Sequence, residues 1–526
     1  MKRKICLVLT LIMLLSIFLG ACTKPSTPSE ADLQNEEQPK LSLTAVEGTL
    51  TVANRGEPAT LNPYTHSDSP SHFASRQLYD TLVYNNEIEG IIEPMLAERW
   101  EQIDDLTIRF YLRKDVVSHA GDPVTAHDVK FSIMQGKESS HKAYIWRPFN
   151  CDACKVIDDY TIEVVTKEPY APALVLLATD GASIICEKSY KDAGSPEEYD
   201  RNPKGGTGPY VLKEWIAGDR IVYEANENYW GEKPYFKKLV IRNISDDTTR
   251  ALALESGDID ICQDILPAQV KKLDENPVID IIRWPSFSTA HMGLNCQHKP
   301  LNDIRVRKAL RYALDIPGMV EIAFSGVGTP ADGPMSPAMT AYAPPKEDEK
   351  YTQDIEKAKE LLVEAGYPDG FTIKLWTNEN QARIDMCEMI QNAWSKIGVK
   401  TEVQIMEFAT FISRLDAGEH DAYILGWVAA ANDGDFMHDT FYSTYPYHDN
   451  MPGYRNTRLD EIVDVARGEF DPEKRKEYYA ELQSIIRKDL PWIPLQFAEN
   501  IIGVRATLTG YKTQSQPRFD MIVPKE

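Results

Sequence analysis

The sequence predicts an α/β protein with several domains. From Gly48 to the end of the chain, strand-like and helix-like patterns alternate without an internal repeat or a low-complexity block. The chain has 526 residues, 43% of them apolar, which is enough for roughly two to four domains with buried cores. Its 29 glycines and 33 prolines are ordinary proportions, so a fibrous or wholly disordered protein is excluded.

Strands and helices are predicted from the spacing of apolar residues. Period-two patterns predict strands at 49–53, 106–112, 161–165, 371–376 and 401–405. Helices are predicted where an aspartate that can cap a helix precedes apolar residues at helical spacing. Asp303 precedes Val306, Ala309, Leu310, Ala313 and Leu314; Asp354 precedes Ile355, Ala358, Leu361, Leu362 and Ala365; Asp471 precedes Tyr478, Leu482, Ile485 and Ile486. Helices between strands predict lobes with largely parallel sheets.

The N-terminus has the pattern of a bacterial lipoprotein signal. A cationic start at 2–4 and an apolar run at 5–19 lead to Leu19-Gly20-Ala21-Cys22, where small residues precede a cysteine that can take a diacylglyceryl group. The alternative is an uncleaved membrane anchor, but the run is short for the roughly 20 residues that span a bilayer. We therefore predict a signal peptide at 1–21, lipidation of Cys22, and a flexible tether at 22–47 rich in Pro, Ser, Thr and Glu.

The charge balance excludes nucleic acid as a partner. The chain has 57 Lys and Arg against 80 Asp and Glu, a formal net charge of −23. Removal of residues 1–21, which contain three cations and no carboxylate, takes the charge to −26. Such a chain repels phosphate backbones. The folded part is predicted to lie at the extracytoplasmic face of the cell membrane, anchored by lipid.

Metal sites, cofactors and known catalytic motifs are not indicated. The motifs G-x-S-x-G, G-x-x-x-x-G-K-[ST] and H-E-x-x-H are absent, so a hydrolase would need a site assembled from scattered residues. Cys151 and Cys154 form a C-x-x-C that could be a local disulfide, half a zinc site, a redox pair or two core thiols. No second cysteine pair or close histidine pair completes a metal site. We predict neither an enzyme nor a bound cofactor.

Short motifs along the mature chain resemble those of one family of receptors. They are EPATLNP at 57–63, PMLAERW at 94–100, PVTAHDV at 123–129, GTGPY at 206–210, NYW at 228–230, SGDID at 256–260, VRKAL at 306–310, AGYPDGF at 365–371 and PWIP at 491–494. In this order they resemble the dipeptide/oligopeptide-binding group of extracytoplasmic solute receptors for ABC transporters. That group also contains nickel-complex, haem and glutathione binders.

The resemblance implies a two-lobed periplasmic-binding-protein fold of type II, with a ligand cleft between the lobes and an extra domain inserted in lobe I. Mapped by motif, lobe I comprises 48–82, 206–290 and 495–526, the inserted domain 83–205, and lobe II 291–494. The implied partners are a short peptide or peptide-like ligand and the permease subunits of an ABC importer. The protein is expected to be a monomer.

The segment that should bind the ligand's ammonium group departs from the family pattern. Peptide binders place a carboxylate shortly after a Gly-Trp pair, but after Trp427 the expected acidic position is Ala430. Either Asp433 or Asp435 supplies a shifted partner, or the amine is bound otherwise. This segment is similar to the glutathione-binding subgroup, in which small and hydroxylated residues follow the tryptophan.

Further candidate residues come from position in the chain. Arg383 is the nearest cation to the expected site of the ligand carboxylate, although it could be an ordinary surface residue. Trp427 is either near the ligand or a core residue at a strand end. Asn62, Tyr64 and His66 follow the first strand and could face the cleft from lobe I.

Three functions remain open. The first is a lipid-anchored receptor that delivers short peptides or peptide-like solutes to an ABC importer. The second is a receptor for glutathione, a nickel chelate, haem or another small solute. The third is a surface-attached hydrolase.

Overall fold

The computed structural model describes residues 48–429, 432–514 and 517–525. The predicted signal peptide, the predicted tether at 22–47 with Cys22, and Ala430 lie outside these residues. Within them, no helix combines the length and apolar character needed to cross a bilayer.

Strands and helices alternate along the chain. The strands are β1 Thr49–Asn54, β2 Val83–Asn86, β3 Ile91–Pro94, β4 Ala97–Asp104, β5 Thr107–Leu112, β6 Lys155–Asp158, β7 Thr161–Val165, β8 Tyr210–Ile216, β9 Arg220–Ala225, β10 Lys238–Asn243, β11 Ile261–Gln263, β12 Ile279–Leu294, β13 Thr329–Pro330, β14 Thr372–Asn378, β15 Lys400–Met406, β16 Ala422–Val428, β17 Trp492–Arg505, β18 Leu508–Thr509 and β19 Val523–Pro524. The α-helices are α1 Ser69–Ser75, α2 Ala126–Glu138, α3 Ala143–Trp146, α4 Ala173–Leu177, α5 Glu187–Asp192, α6 Pro196–Arg201, α7 Asp247–Ser256, α8 Pro267–Asp274, α9 Ile304–Tyr312, α10 Ile316–Ala323, α11 Ile355–Glu364, α12 Gln381–Ser395, α13 Phe408–Asp416, α14 Phe436–Phe441, α15 Thr457–Gly468 and α16 Pro472–Asp489.

One long sheet runs through both halves of the protein in the order β15-β14-β16-β12-β17-β11-β1-β10-β9-β8. We call the half with β1 and β8–β11 lobe I, and the half with β14–β16 lobe II. The long strands β12 and β17 pair with each other and carry the chain between the halves. Their ladder shifts register between Pro285 and Thr289 and again between Ala290 and His291. Such irregularities bend and twist a strand locally.

The prediction of largely parallel sheets is wrong for this long sheet. Only β1 with its neighbours β10 and β11, and β14 with β15 and β16, form parallel pairs among the described strands. The hairpin strands β8, β9 and β10 and the crossing strands β12 and β17 pair antiparallel. Hairpins need only short turns, whereas each parallel pair needs a crossover connection, usually a helix. Helices between strands therefore indicate some parallel pairs without fixing the rest.

A separate four-stranded antiparallel sheet, β4-β5-β7-β6, lies between β1 and β8 in sequence. Ile108, Phe110 and Leu112 point inward from β5, as the predicted alternation requires. They pack with α2, α3 and α4 in a hydrophobic core drawn from residues 82–186. This sheet and core lie almost wholly within the segment 83–205 that we predict to be the inserted domain.

The predicted strands and helix caps have counterparts in the structure. Asp354 accepts a hydrogen bond from Lys357 N at 2.9 Å, and Asp471 accepts one from Glu473 N at 3.0 Å, so both cap their helices. The buried stripe of α16 differs from the prediction at two positions, because Ile485 is only partly buried and Tyr479 takes the place of Tyr478. Tyr479 is 1% exposed and belongs to the core, whereas Tyr478 only packs against it. Tyr478 lies four residues and Tyr479 three residues before Leu482, so helical spacing allows either ring on this stripe.

Candidate functional site

The carboxyl ends of β14 and β16 bring Arg383, Gly426 and Trp427 together beside the crossing strand β12. Arg383 lies in the first turn of α12, and its N–H donates to the capping Asn380 Oδ1 at 3.1 Å. Its Nη1 donates to Asn378 Oδ1, the last residue of β14, at 2.6 Å. This bond fixes the guanidinium at the carboxyl ends of β14 and β16.

Arg383 is a cation that has no anionic partner in the part of the chain that the structure describes. Among the described residues, no carboxylate lies within ion-pair distance of its guanidinium, and burial lowers the pKa of Arg383. A guanidinium has five N–H donors in a planar fork that matches a carboxylate. The neutral amide of Asn378 orients Arg383 without neutralising it, so the side chain can bind an anion.

Gly426 provides the space that Arg383 occupies. An added Cβ at Gly426 would lie 3.2 Å from Arg383 Nη2 and 4.0 Å from Ser288 Oγ. The first distance is closer than ordinary van der Waals contact, so a side chain here would require the guanidinium to shift by a few tenths of an ångström. Gly426 pairs with Ala290 of β12, and Ser288 pairs with Val428. Val428 is 68% exposed, which leaves this end of β16 open to a ligand.

Aromatic rings support the site on the other face of β16. Trp427 is partly buried, and its ring lies 6.5 Å from that of Trp492. His291 stacks on Trp492 with 3.5 Å between ring centroids. Burial lowers the pKa of His291 to about 3, and the charge of Arg383 adds to this effect. Trp427 therefore lies beside the candidate site and also packs in the core, and a direct ligand contact stays a prediction.

Asp433 is already neutralised. Its carboxylate accepts two hydrogen bonds from Arg475, at 2.7 and 2.8 Å, and both side chains are largely buried. Burial lowers the pKa of Arg475, but the carboxylate of Asp433 raises it, and the pKa lies above its ordinary value. The backbone N–H of Asp435 also donates to Asp433 Oδ1 at 2.9 Å.

Asp435 has its own arginine and a tyrosine. Arg467 Nε lies 2.9 Å from Asp435 Oδ1, and the Tyr170 hydroxyl donates to Oδ2 at 2.7 Å. Burial raises the pKa of Asp435, although Arg467 opposes this. To bind the ammonium group of a ligand, either carboxylate would have to accept hydrogen bonds from that group and from its own arginine at the same time. That role stays a prediction.

The three predicted residues of lobe I have structural partners. The side chain of Asn62 donates to Asp200 Oδ1 at 2.9 Å and accepts from Tyr64 N at 3.1 Å. The Tyr64 hydroxyl donates to the carbonyl of Ser183. His66 is 1% exposed, and its Nε2 lies 3.2 Å from Ser75 Oγ. These bonds hold the loop after β1, and a ligand role for the three residues stays a prediction.

Sequence reasoning missed the residues that hold the charged ones in place. Asn378, Arg467 and Arg475 orient or neutralise predicted site residues, and Tyr170 reaches Asp435 from the segment predicted as the inserted domain. Asp433 and Arg475 are 42 positions apart, so no local pattern connects them. For Gly426, the only indication in the sequence was its place before Trp427 in the Gly-Trp pair.

The C-x-x-C holds two core thiols. Cys151 and Cys154 are both buried and free, and burial raises the pKa of Cys151 to about 11. A thiol that remains protonated at neutral pH is a poor nucleophile and metal ligand. Among the described residues, no group of three His, Cys, Asp or Glu side chains could hold a metal ion.

Comparisons with known proteins identify the family. The model of the bacterial extracellular solute-binding proteins, family 5, matches residues 92–449. The dipeptide-binding protein of Escherichia coli is 32% identical over 88% of this chain and 92% of its own length. Haem-binding protein A of Haemophilus influenzae is 31% identical over 94% of both chains.

A solved structure shows the same fold. The periplasmic binding protein DppA of Helicobacter pylori, in complex with the peptide STSA, superposes with a TM-score of 0.77 at 28% identity, over 91% of this chain and 98% of that one. The predicted α/β fold with two lobes, the type II periplasmic-binding-protein fold, is confirmed. The chain belongs to family 5 of the bacterial extracellular solute-binding proteins.

Proposed function

We propose that this protein is the lipid-anchored substrate-binding component of an ABC importer, and that it captures a short peptide or peptide-like solute between two closing lobes. The observation that carries the proposal is Arg383, a partly buried guanidinium held by a neutral amide and open to a carboxylate. A free peptide carboxylate matches this fork in charge and shape. Relatives named for binding peptides support the same ligand class.

The mode of action follows from the two-lobed fold. A ligand that contacts both lobes stabilises the closed state by its differential affinity for that state. The closed receptor would then present its surface to the permease. The proposed domain boundaries are those predicted from the sequence, with lobe I at 48–82, 206–290 and 495–526, the inserted domain at 83–205 and lobe II at 291–494.

The proposed location is the extracytoplasmic face of the membrane, with Cys22 as the lipidated residue and the receptor acting as a monomer. The lipobox at 19–22 and the polar tether support this location. The description of the family as extracellular is consistent with it.

A peptide-like acid such as glutathione is the second candidate ligand. Ala430 stands where a carboxylate was expected, and Asp433 and Asp435 are both paired with arginines. A site that offers a free cation but no free anion favours a ligand recognised through its carboxylates. Glutathione carries two carboxylates and one amine, which suits this balance.

The test is calorimetry with di-, tri- and pentapeptides, glutathione, nickel-histidine and haem. We expect a ligand with a free carboxylate to bind without being cleaved. Arg383→Gln should weaken its binding about 10- to 100-fold, the value of a hydrogen bond to a charged group. Arg458→Gln, a change at an exposed arginine on α15, is the matched control and should leave affinity unchanged.

Amidation of the ligand's C-terminus gives a second arm. The amidated ligand should bind the wild-type protein as weakly as the free acid binds Arg383→Gln. The amidated ligand should bind Arg383→Gln with the same affinity again, because both changes remove the same interaction. Formation of a cleaved product from the ligand would contradict the receptor function and support a hydrolase. The peptide hypothesis fails if no peptide binds at tens of micromolar.

A further inference from the structure

Lobe II contains a cavity that is separate from the site around Arg383. It has a volume of about 280 Å³ and lies among α9, α10, β13 and the C-terminal end of α16. Its lining comes entirely from 311–351 and 487–494 and includes neither Arg383 nor Trp427. The buried side chains of Arg311, Ile316 and Leu490 form its interior, and the exposed Pro317 and Pro330 stand at its rim.

Arg311 is a buried cation in the wall of this cavity. It lies in the last turn of α9 and is 8% exposed. Its Nη1 donates to the carbonyl of Leu314 at 3.3 Å and its Nη2 to the carbonyl of Tyr351 at 3.1 Å. These bonds hold the guanidinium in place and use only part of its five N–H donors.

Arg311 lacks a counter-ion. In the part of the chain that the structure describes, no carboxylate lies within 4.0 Å of its guanidinium. The second arginine of the cavity, Arg487, lies 3.6 Å from Glu349 and 3.9 Å from Asp332, so the acids of the lining face that arginine. Burial lowers the pKa of Arg311 to about 10, which leaves it cationic at neutral pH. A buried cation of this kind is stabilised by any anion that reaches it.

Beside the charged side chains of Asp332, Glu349, Lys350 and Arg487, the cavity has apolar walls that favour an apolar body. Ile316, Leu490 and Pro494 line the interior, and two further prolines lie at the rim. At about 30 Å³ for each water-sized group, the volume holds about nine non-hydrogen atoms. This is close to the lower limit of small-molecule pockets. A small acid with one carboxylate and a compact ring or branched chain has the matching size, charge and polarity.

We propose that this cavity is a second ligand site, which binds a small monocarboxylic acid with its carboxylate on Arg311 and its apolar body against Ile316, Leu490 and Pro494. The site is independent of the cleft and of the ligand carried there. Its occupant touches β17 through Pro494, so it contacts one of the two strands that join the lobes.

The test uses benzoate as the probe, because it has nine non-hydrogen atoms and one carboxylate. Calorimetry and saturation-transfer NMR on the full chain should show saturable binding of benzoate. Benzamide has the same shape without the charge and should bind at least about tenfold more weakly. This comparison needs no substitution, so it is unaffected by any folding defect.

Substitutions then locate the site. Arg311→Gln should weaken benzoate binding about tenfold or more, and Ala331→Leu should block it by filling the cavity while Arg311 stays intact. Arg307→Lys is the matched control, since Arg307 lies on the same helix, bonds the carbonyls of Asp489 and Leu301, and does not line the cavity.

Any of three outcomes overturns the proposal. One is the absence of saturable benzoate binding at millimolar concentration. The second is binding that persists in Ala331→Leu, and the third is binding that disappears in Arg383→Gln, which would place benzoate in the cleft. Retained binding in Arg383→Gln together with loss in Ala331→Leu supports the second site.

Discussion

The hydroxyl of Tyr170 donates a 2.7 Å hydrogen bond to Asp435 Oδ2, and this bond joins the segment predicted as the inserted domain to lobe II. Ala171 N donates to the carbonyl of Arg467 at 2.8 Å in the same place. The guanidinium of Arg467 lies 5.2 Å from the centroid of the Tyr170 ring. Contacts made across two bodies that close on a ligand contribute to its affinity without touching it.

Tyr170→Phe should therefore make a bound ligand dissociate faster. The change removes one hydrogen bond to a carboxylate between the predicted inserted domain and lobe II, so we expect the dissociation rate to rise about tenfold with little change in the association rate. Stopped-flow displacement of a bound ligand measures both rates. Tyr235→Phe, at a ring that is 56% exposed, is the control. Equal dissociation rates for wild type and Tyr170→Phe would show that this bond does not hold the lobes together.

Removing one partner of the Asp433–Arg475 pair should destabilise the fold. Asp433→Asn leaves a buried guanidinium without its carboxylate, and such a loss typically costs about 3–5 kcal/mol. Urea unfolding of wild type, Asp433→Asn, Arg475→Gln and the double variant measures this cost and the coupling between the two side chains. The exposed pair Arg458–Glu481 is the control, since Arg458→Gln should leave the free energy of unfolding nearly unchanged. A loss of ligand affinity at unchanged stability in Asp433→Asn would instead make Asp433 a ligand contact.

A methyl group at Gly426 should weaken ligand binding. Because the added Cβ would lie 3.2 Å from Arg383 Nη2, Gly426→Ala shifts the guanidinium by a few tenths of an ångström and adds a methyl group beside the proposed carboxylate position. We expect affinity to fall about tenfold while the free energy of unfolding changes by less than about 1 kcal/mol. Calorimetry and urea unfolding measure the two quantities. In the control, Gly468→Ala, the new Cβ meets Pro169 at an ordinary 3.6 Å. Unchanged affinity in Gly426→Ala would place the ligand away from Arg383.

Acid should destabilise the protein through its buried histidines. Burial lowers the pKa of four of them from 6.5, to about 3 for His66 and His291 and to about 4 for His119 and His420. Between pH 6.5 and these values the unfolded chain binds protons that the folded chain does not, so stability is lost as the pH falls. Each ring contributes up to about 1.4 kcal/mol per pH unit in this window. Urea unfolding from pH 7 to pH 4 measures the slope.

His291→Phe keeps a flat ring on Trp492 and removes one of these groups. The slope of stability against pH should therefore decrease by the contribution of one proton. The same slope in His291→Phe and wild type would show that His291 becomes protonated in the folded state.

Local structure was largely predictable because it depends on neighbouring residues. The caps Asp354 and Asp471 and the alternation of Ile108, Phe110 and Leu112 need only a few adjacent positions, and the structure contains all of them. The long crossing strand β12 was not predicted, since Pro285 and several polar residues interrupt its pattern. The length of this strand is set by its pairing with β17, about 200 positions away in sequence.

The candidate site was predictable in part for the same reason. Arg383 and Trp427 lie beside strand ends, which a strand prediction can locate. The pairing of Asp433 with Arg475 and of Asp435 with Arg467 depends on how α14, α15 and α16 pack, and spacing in the sequence does not contain that information. The sequence therefore could not distinguish an aspartate that is paired with an arginine from one that is free to bind a ligand.

The irregular ladder between β12 and β17 has a consequence for how binding and bending are related. Gly426, under the guanidinium of Arg383, pairs with Ala290, and the ladder shifts register between Ala290 and the next residue of β12. The side chain proposed to bind the ligand therefore rests on the rung of the sheet where the ladder of the crossing strand changes register. In the proposed receptor, binding of the solute and local bending of this strand would be coupled directly, without a relay of intermediate side chains.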